Sequence, residues 1–284
     1  MKARILRNDA QTNNENLPGA LLDPAEIAFA EHAAARAVLK PGKAMTEGLV
    51  SSKPFALRSF VNGVRMVPAE AQFKPTVQEG HLSFIGSGEG GSVIEGGSLI
   101  SDPAQTVLAV ESGFTFVAAF RCPSDGGGAI IGNALNQSRT YNTSTNFRYS
   151  GLTLGWGTSS GTEDIRCCLN GDSLFANPAG TGDFRDGEWH IAVGVFDHAL
   201  QRLRVRVDRG DWADIDTRTS GGADKDISTV GGAQQIRIGA TGLPGAAPEY
   251  GFKGDIGSCW VAAAPLSGDV LDNIELRLIS EYRG

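Results

Sequence analysis

The chain of 284 residues is short of aromatics (7%), holds only four histidines and four cysteines, and has no apolar run near the ~20 residues that cross a bilayer as a helix. It also lacks net positive charge: 25 Lys and Arg against 32 Asp and Glu leave −7 at neutral pH. That balance excludes a surface built on phosphate contacts to nucleic acid, and it argues against insertion into or docking on an anionic membrane. The first residues, MKARILRNDAQTNNENLPG, carry cations with no apolar stretch behind them, so they do not read as a secretory signal. Cys122, Cys167, Cys168 and Cys259 have no metal-ligand spacing, and Cys167 and Cys168 on one strand would face opposite ways. They read as reduced thiols in a protein folded in a cytosol.

What is present in quantity is glycine (38 residues) and enough apolar residues (41%) for a substantial core, a combination suited to many strands and turns. The segment DGEWHIAVGVFDHALQRLRVRVDRGDWADIDT, residues 186–217, carries the strongest signal. Ile191, Val193 and Val195 alternate with Ala192, Gly194 and Phe196; Leu203, Val205 and Val207 then alternate with Arg202, Arg204 and Arg206. Alternation with period two predicts two antiparallel strands and a reversal into a third, and excludes a helix, whose apolar stripe recurs every three to four residues. The arginines mark a face that meets water or a partner.

Residues 1–22 read as a polar, Asn-rich arm. Asp23 as N-cap, Pro24 at the first helical position and Glu26 completing a capping box start a helix that is expected to run through AEIAFAEHAAARAVLK and stop at Pro41-Gly42. Its small-residue stripe of Ile27, Ala30, Ala34 and Val38 suits packing on its own domain or docking on another chain. Together 1–42 are expected to form an anchor, and 43–80 a connector with a hairpin turning at Asn62-Gly63. From about His81 onward the chain reads as strands and turns, with Phe114, Phe116, Ala118 and Phe120 forming an apolar face and a last helix at Gly268–Ser280.

The order of these pieces resembles the concanavalin A-like, laminin G-like jelly-roll superfamily over about residues 81–284. The likeness is carried by GFTFVAAFRCPS with GGAIIGN, by DGEWHIAVGVFD, by LRVRVDRGDW, and by IRIGA with FKGDIGSCWVAAAPLSGDVLDNIE. It implies an all-β, two-sheet sandwich, with Trp189 packed in the core, His190 beside it, and Arg209 inserted in a tight turn. Lectins, receptor-binding modules, glycanases and modules on phage virions share this fold, so fold alone does not settle function.

Glycanases of that superfamily carry an E-x-D-x-x-E strand, which is absent here. Glu163 and Asp164 are adjacent and would diverge on a strand, while Asp214 and Asp216 share a face but read as solvated charges. His190 reads as a packing histidine rather than a general base, and Arg209-Gly210-Asp211 as a hairpin turn. No cofactor is expected; calcium would need loop aspartates such as Asp125, Asp183, Asp186, Asp197 and Asp224, which turns favour in any case. For a glycan the expected contacts are Tyr141, Asn142, Asn146, Arg148 and Tyr149 in one polar loop, and Trp212 at a strand end; Trp156 reads either as a partly exposed contact or as a core residue. The resulting expectation is a non-enzymatic virion structural protein of a bacteriophage, assembled in the host cytoplasm as a homo-oligomer. Residues 1–42 would hold other virion subunits, and the sandwich would bind host surface glycan or protein. The alternative is a secreted or enzyme-associated carbohydrate-binding module, or a divergent glycanase.

Overall fold

Two antiparallel sheets stack face to face, and two helices cover the outer side of one of them. The computed structural model describes residues 23–41, 46–50, 53–59, 61–69, 75–86, 97–102, 113–134, 152–156, 165–169, 174–176, 183–216, 235–240 and 251–284. The first sheet runs in the order β15 (Ala213–Asp216), β14 (Arg202–Val207), β13 (Trp189–Asp197), β8 (Phe114–Arg121), β17 (Lys253–Ala262), β6 (His81–Ile85), β5 (Thr76–Gln78). The second runs β12 (Leu174–Ala176), β11 (Ile165–Leu169), β10 (Leu152–Trp156), β9 (Ala129–Ala134), β16 (Gln235–Ile238), β7 (Leu99–Ser101), β4 (Arg65–Pro68), β3 (Lys53–Arg58), β2 (Thr46–Val50). This is the two-sheet sandwich that the alternating segments predict.

Side-chain parity builds two cores. Phe114, Phe116, Ala118 and Phe120 of β8, with Ala192 and Phe196 of β13, point between the sheets and meet Leu154, Ile165, Ile236 and Ile238. Gly194 shares that face because nothing larger fits: a Cβ there would lie 2.9 Å from the Cys167 Sγ of the opposite sheet. The alternate residues, Val117, Ala119, Ile191, Val193 and Val195, pack with Trp260 on the other side. That side is roofed by α1 (Pro24–Glu31) and α2 (Gly268–Tyr282), through Phe29, Ala30, Leu271, Ile274 and Leu278. Each large apolar side chain so buried contributes about 1.5–3 kcal/mol.

The start of α1 follows the sequence signal, with the Glu26 N–H donating to Asp23 Oδ1 (2.9 Å) and the Asp23 N–H to Glu26 Oε2 (3.1 Å). Its length does not. The helix ends at Glu31, and Ala35–Leu39 form β1, antiparallel to Cys259–Ala262 of β17. Pairing to an open stretch of β17, together with full burial of Val38 and Leu39, overrides the helix preference of the alanines. The helix packs on its own domain: Phe29 meets Trp260 edge-on at 5.1 Å, and Asp23 pairs with Arg277 of α2. The connector also joins the sandwich, since β2, β3 and β4 belong to the second sheet and β5 to the first. The boundary expected at residue 81 therefore falls inside the sheets. The hairpin itself turns as expected, with Asn62 (φ 55°) and Gly63 (φ 63°) left-handed and the Ser59 N–H donating to the Val64 carbonyl.

β17 changes neighbours midway. Lys253–Ile256 pair with β6, Cys259–Ala262 pair with β1, and the register shifts between Ile256 and Cys259. The Ser258 N–H, stranded by that change, donates to the Tyr282 hydroxyl at 2.8 Å, which in turn donates to the Gly80 carbonyl at 3.0 Å. Gly257 leaves room for the ring, since a Cβ there would stand 2.5 Å from it. The arginine face of β14 is likewise met from within: Arg206 bonds the fully buried Glu275 and, at 3.0 Å, Asp272, both on α2. Burial raises the Glu275 carboxyl above its ordinary value, with Arg206 pulling it back.

Two substitutions follow from this arrangement. Tyr282→Phe leaves the Ser258 N–H without its acceptor and is expected to lower unfolding free energy by about 1–3 kcal/mol in urea titration. Arg206→Met should cost about 3 kcal/mol by stranding Glu275, and adding Glu275→Leu should recover most of that loss; no recovery would contradict the pairing.

Candidate functional site

The outer edge of the first sheet carries a shallow groove of about 350 Å³, lined by Asp197, Leu200, Arg202, Arg204 and Asp214. It forms where the β13–β14 turn overhangs β14 and β15. That turn is fixed by the Asp197 carboxylate accepting the Leu200 N–H (2.9 Å) and by Gln201 in a left-handed conformation (φ 52°), which leaves Leu200 62% exposed. Below it, Arg202 stands opposite Asp216 and Arg204 opposite Asp214 in register, with Leu203, Val205 and Val207 turned to the core. Arg202 donates diagonally to Asp214 at 2.5 Å. Trp212 lies half-buried beside this row, with the Arg206 guanidinium 4.4 Å and that of Arg204 5.0 Å from its ring centre.

The β14–β15 turn is strained and tied down. Asp208 (φ 52°) and Arg209 (φ 60°) are both left-handed, a conformation that disfavours residues with a side chain. Asp208 is held by its Oδ1, which accepts the Ile191 N–H at 2.8 Å, and by its Oδ2, which faces His190 Nδ1 at 2.7 Å and Arg283 at 2.8 Å. Arg209 donates to the Asp272 carbonyl. The tripeptide Arg209-Gly210-Asp211 is thus spent on the turn, as its position predicts. The other ring nitrogen of His190 lies 3.0 Å from Asp186 Oδ1. An ionised carboxylate only accepts, so a contact at each ring nitrogen favours the imidazolium form of His190. Burial alone would lower its pKa; the hydrogen bonds and charges of Asp208 and Asp186 outweigh that and raise it above the ordinary histidine value.

His190, 6% exposed and packed on Phe120 and Phe184, is the residue that points between the sheets. Trp189 takes the opposite face, against Tyr282 (4.7 Å), His81 and Arg121. Trp189 thus packs against the core under the helices, as the resemblance implies, while His190 beside it turns into the space between the sheets. Neighbours on a strand diverge, and the ties to Asp208 and Asp186 fix which one turns inward.

A second cluster has the elements of a nucleophilic triad without its wiring. Ser83 donates directly to Asp255 (2.5 Å), Asp255 is forked by Arg121 (2.6 and 2.9 Å), and His81 Nε2 is 3.7 Å from the same carboxylate. The Ser83 hydroxyl bonds the carboxylate directly, and among the described residues no histidine hydrogen-bonds to it. Burial pushes the Cys122 and Cys259 thiols up to about 12, which leaves them protonated and unreactive at neutral pH. Among the described residues no three His, Cys, Asp or Glu side chains converge as metal ligands. Asp125 is bonded to Lys253, Asp183 to Arg185 and Asp186 to His190, while Asp224 lies outside the described residues.

Of the expected glycan contacts, Tyr141, Asn142, Asn146, Arg148 and Tyr149 lie outside the described residues, as do Glu163, Asp164 and the side chain of Trp156. Trp212 is described; it does not line the groove but lies beside Arg204, which does. Sequence reasoning missed Leu200, Arg204 and Asp197 as lining the groove. The signal was present in the alternating arginines, but which of them remains open to a ligand depends on where α2 docks.

No family model and no curated protein matches the sequence. Similar folds are found among solved structures. The sialidase of Trypanosoma rangeli is 15% identical with a TM-score of 0.51, the match covering 89% of this chain and 34% of that one. The botulinum neurotoxin serotype D binding domain is 11% identical with a TM-score of 0.52, covering 87% and 51%; that of serotype C1 is 12% identical at 0.52, covering 86% and 52%. The chain thus spans about a third of the sialidase and half of the toxin domains. At these identities the likeness establishes the β-sandwich fold alone.

The raised value of His190 has a signed consequence. Its contribution to stability is full below the ordinary histidine pKa and is lost as pH rises through the folded value. The urea midpoint is expected to fall from pH 6 toward pH 9, and His190→Gln should remove that part of the slope. Equal slopes in the two proteins would contradict the imidazolium assignment.

Proposed function

We propose that this chain is a non-catalytic recognition module whose first sheet carries a ligand groove for a surface glycan. One observation supports this above all: the groove combines an exposed apolar side chain (Leu200), guanidinium donors (Arg202, Arg204) and carboxylate acceptors (Asp197, Asp214) beside Trp212. Sugars offer the complementary surfaces, apolar C–H faces and hydroxyls that both donate and accept. Nothing in that set is poised for bond cleavage. Asp214 is engaged by Arg202, and Asp197 accepts the Leu200 N–H, so both carboxylates are already tied by bonds within the fold.

The narrower setting we propose is display on a bacteriophage virion, with contacts to neighbouring subunits confined to residues 1–22, because α1 and β1 are committed to the sandwich. A carbohydrate-binding module attached to an enzyme is the competing setting for the same groove.

Two measurements test these readings. On a glycan array the whole chain is expected to bind, Trp212→Ala to lose at least about tenfold in affinity, and no reducing sugar to be released from any hit. Hydrolysis abolished by a single Asp or Glu substitution would overturn the non-enzyme reading. Size-exclusion mass should show an assembly that reverts to monomer when residues 1–22 are removed; a monomer in both cases would refute the display setting.

A further inference from the structure

The three arginines of β14 stand in one row but do not share one fate. Arg206 is saturated by Glu275 and Asp272, and Arg202 is bonded to Asp214. Arg204, between them, makes no hydrogen bond or ion pair among the described residues; its Nε is buried without an acceptor. Its one contact of note is with Trp212, whose ring centre lies 5.0 Å from the guanidinium carbon. A buried, unsatisfied donor on a charged group costs free energy, and native proteins hold few of them. Arg204 also lines the groove.

We infer that Arg204 is the recognition residue for a carboxylate-bearing sugar, of the hexuronate class, bound in the groove. This rests on the glycan reading given above and names the class of sugar. A guanidinium beside an indole presents a planar fork of donors that matches a carboxylate two bonds at a time. Phosphate would match the fork as well, but Asp197 and Asp214 line the same groove and repel a dianion more than a monoanion. The same two carboxylates suit hydroxyl donors, and exposed Leu200 suits the apolar face of a pyranose ring. The volume of about 350 Å³ is that of a site for one or two sugar rings. With two arginines against two aspartates the groove is formally neutral, so selectivity comes from the fork and not from long-range attraction.

The test is an NMR titration of the full chain with methyl glucuronide and methyl galacturonide, against the matching neutral glycosides and inorganic phosphate. The readouts are the Trp212 indole N–H and the Leu200 methyl groups. A uronide is expected to shift both and saturate, at least about tenfold more tightly than its neutral counterpart. Arg204→Gln should remove that preference, while Arg204→Lys, which keeps the charge and loses the fork, should keep only part of it. Since Arg204 makes no hydrogen bond or ion pair among the described residues, both variants should stay folded, with urea midpoints close to the wild type; if the Gln variant does not fold, the Lys variant carries the comparison. Equal binding of neutral and acidic glycosides, unaffected by Arg204→Gln, would overturn the acidic assignment and leave the recognition reading standing. Phosphate binding as tightly as a uronide would reduce the site to a general anion site and overturn the sugar class. If no glycan binds the whole chain at all, on the array or in the titration, the recognition reading fails and takes this inference with it.

Discussion

The structure depends on one constraint: β8, β13 and β17, at the centre of the first sheet, are apolar on both faces. A sandwich accounts for only one of those faces, the one turned toward the second sheet. The other must be covered from within the chain, and α1 and α2 do this with Phe29, Ala30, Leu271, Ile274 and Leu278. The remaining particulars follow from that roof. Its far end brings Tyr282 to the point where β17 exchanges partners, and its flank brings Glu275 and Asp272 to the arginine row. The fold is therefore three layers deep along its middle and two layers at its margins.

Much of this was legible because the signals are local. Period-two alternation located β13, β14 and β15; the phenylalanines of β8 announced the inter-sheet face; Asn62-Gly63 announced its turn; Asp23, Pro24 and Glu26 announced the first helical residue. What was not legible depended on residues far away in the chain. Ala35–Leu39 carry alanine as a helix would, and become a strand only because Cys259–Ala262 present an unfilled edge more than 200 residues later. Trp189 and His190 are neighbours whose two orientations are equally consistent with alternation. Asp208, eighteen residues on, decides between them.

The candidate site shows the same limit. Three arginines at alternate positions are equivalent in the sequence, and the sequence contains no term that distinguishes them. The docking of α2 consumes Arg206, the diagonal to Asp214 consumes Arg202, and Arg204 is left beside Trp212. Structural bonds claim two of the three arginines on this face, and among the described residues Arg204 is the one of the three left without a hydrogen bond. Structural bonds likewise claim His190 and Asp255.

The pairing of Asp23 with Arg277 has a geometric corollary. It places the point where the chain enters the sandwich against its final helix, on the roofed side. Residues 23 and 277 thus lie together on the roofed side of the first sheet. A linker joining those two points would be short, and the molecule should accept circular permutation there with new ends opened elsewhere.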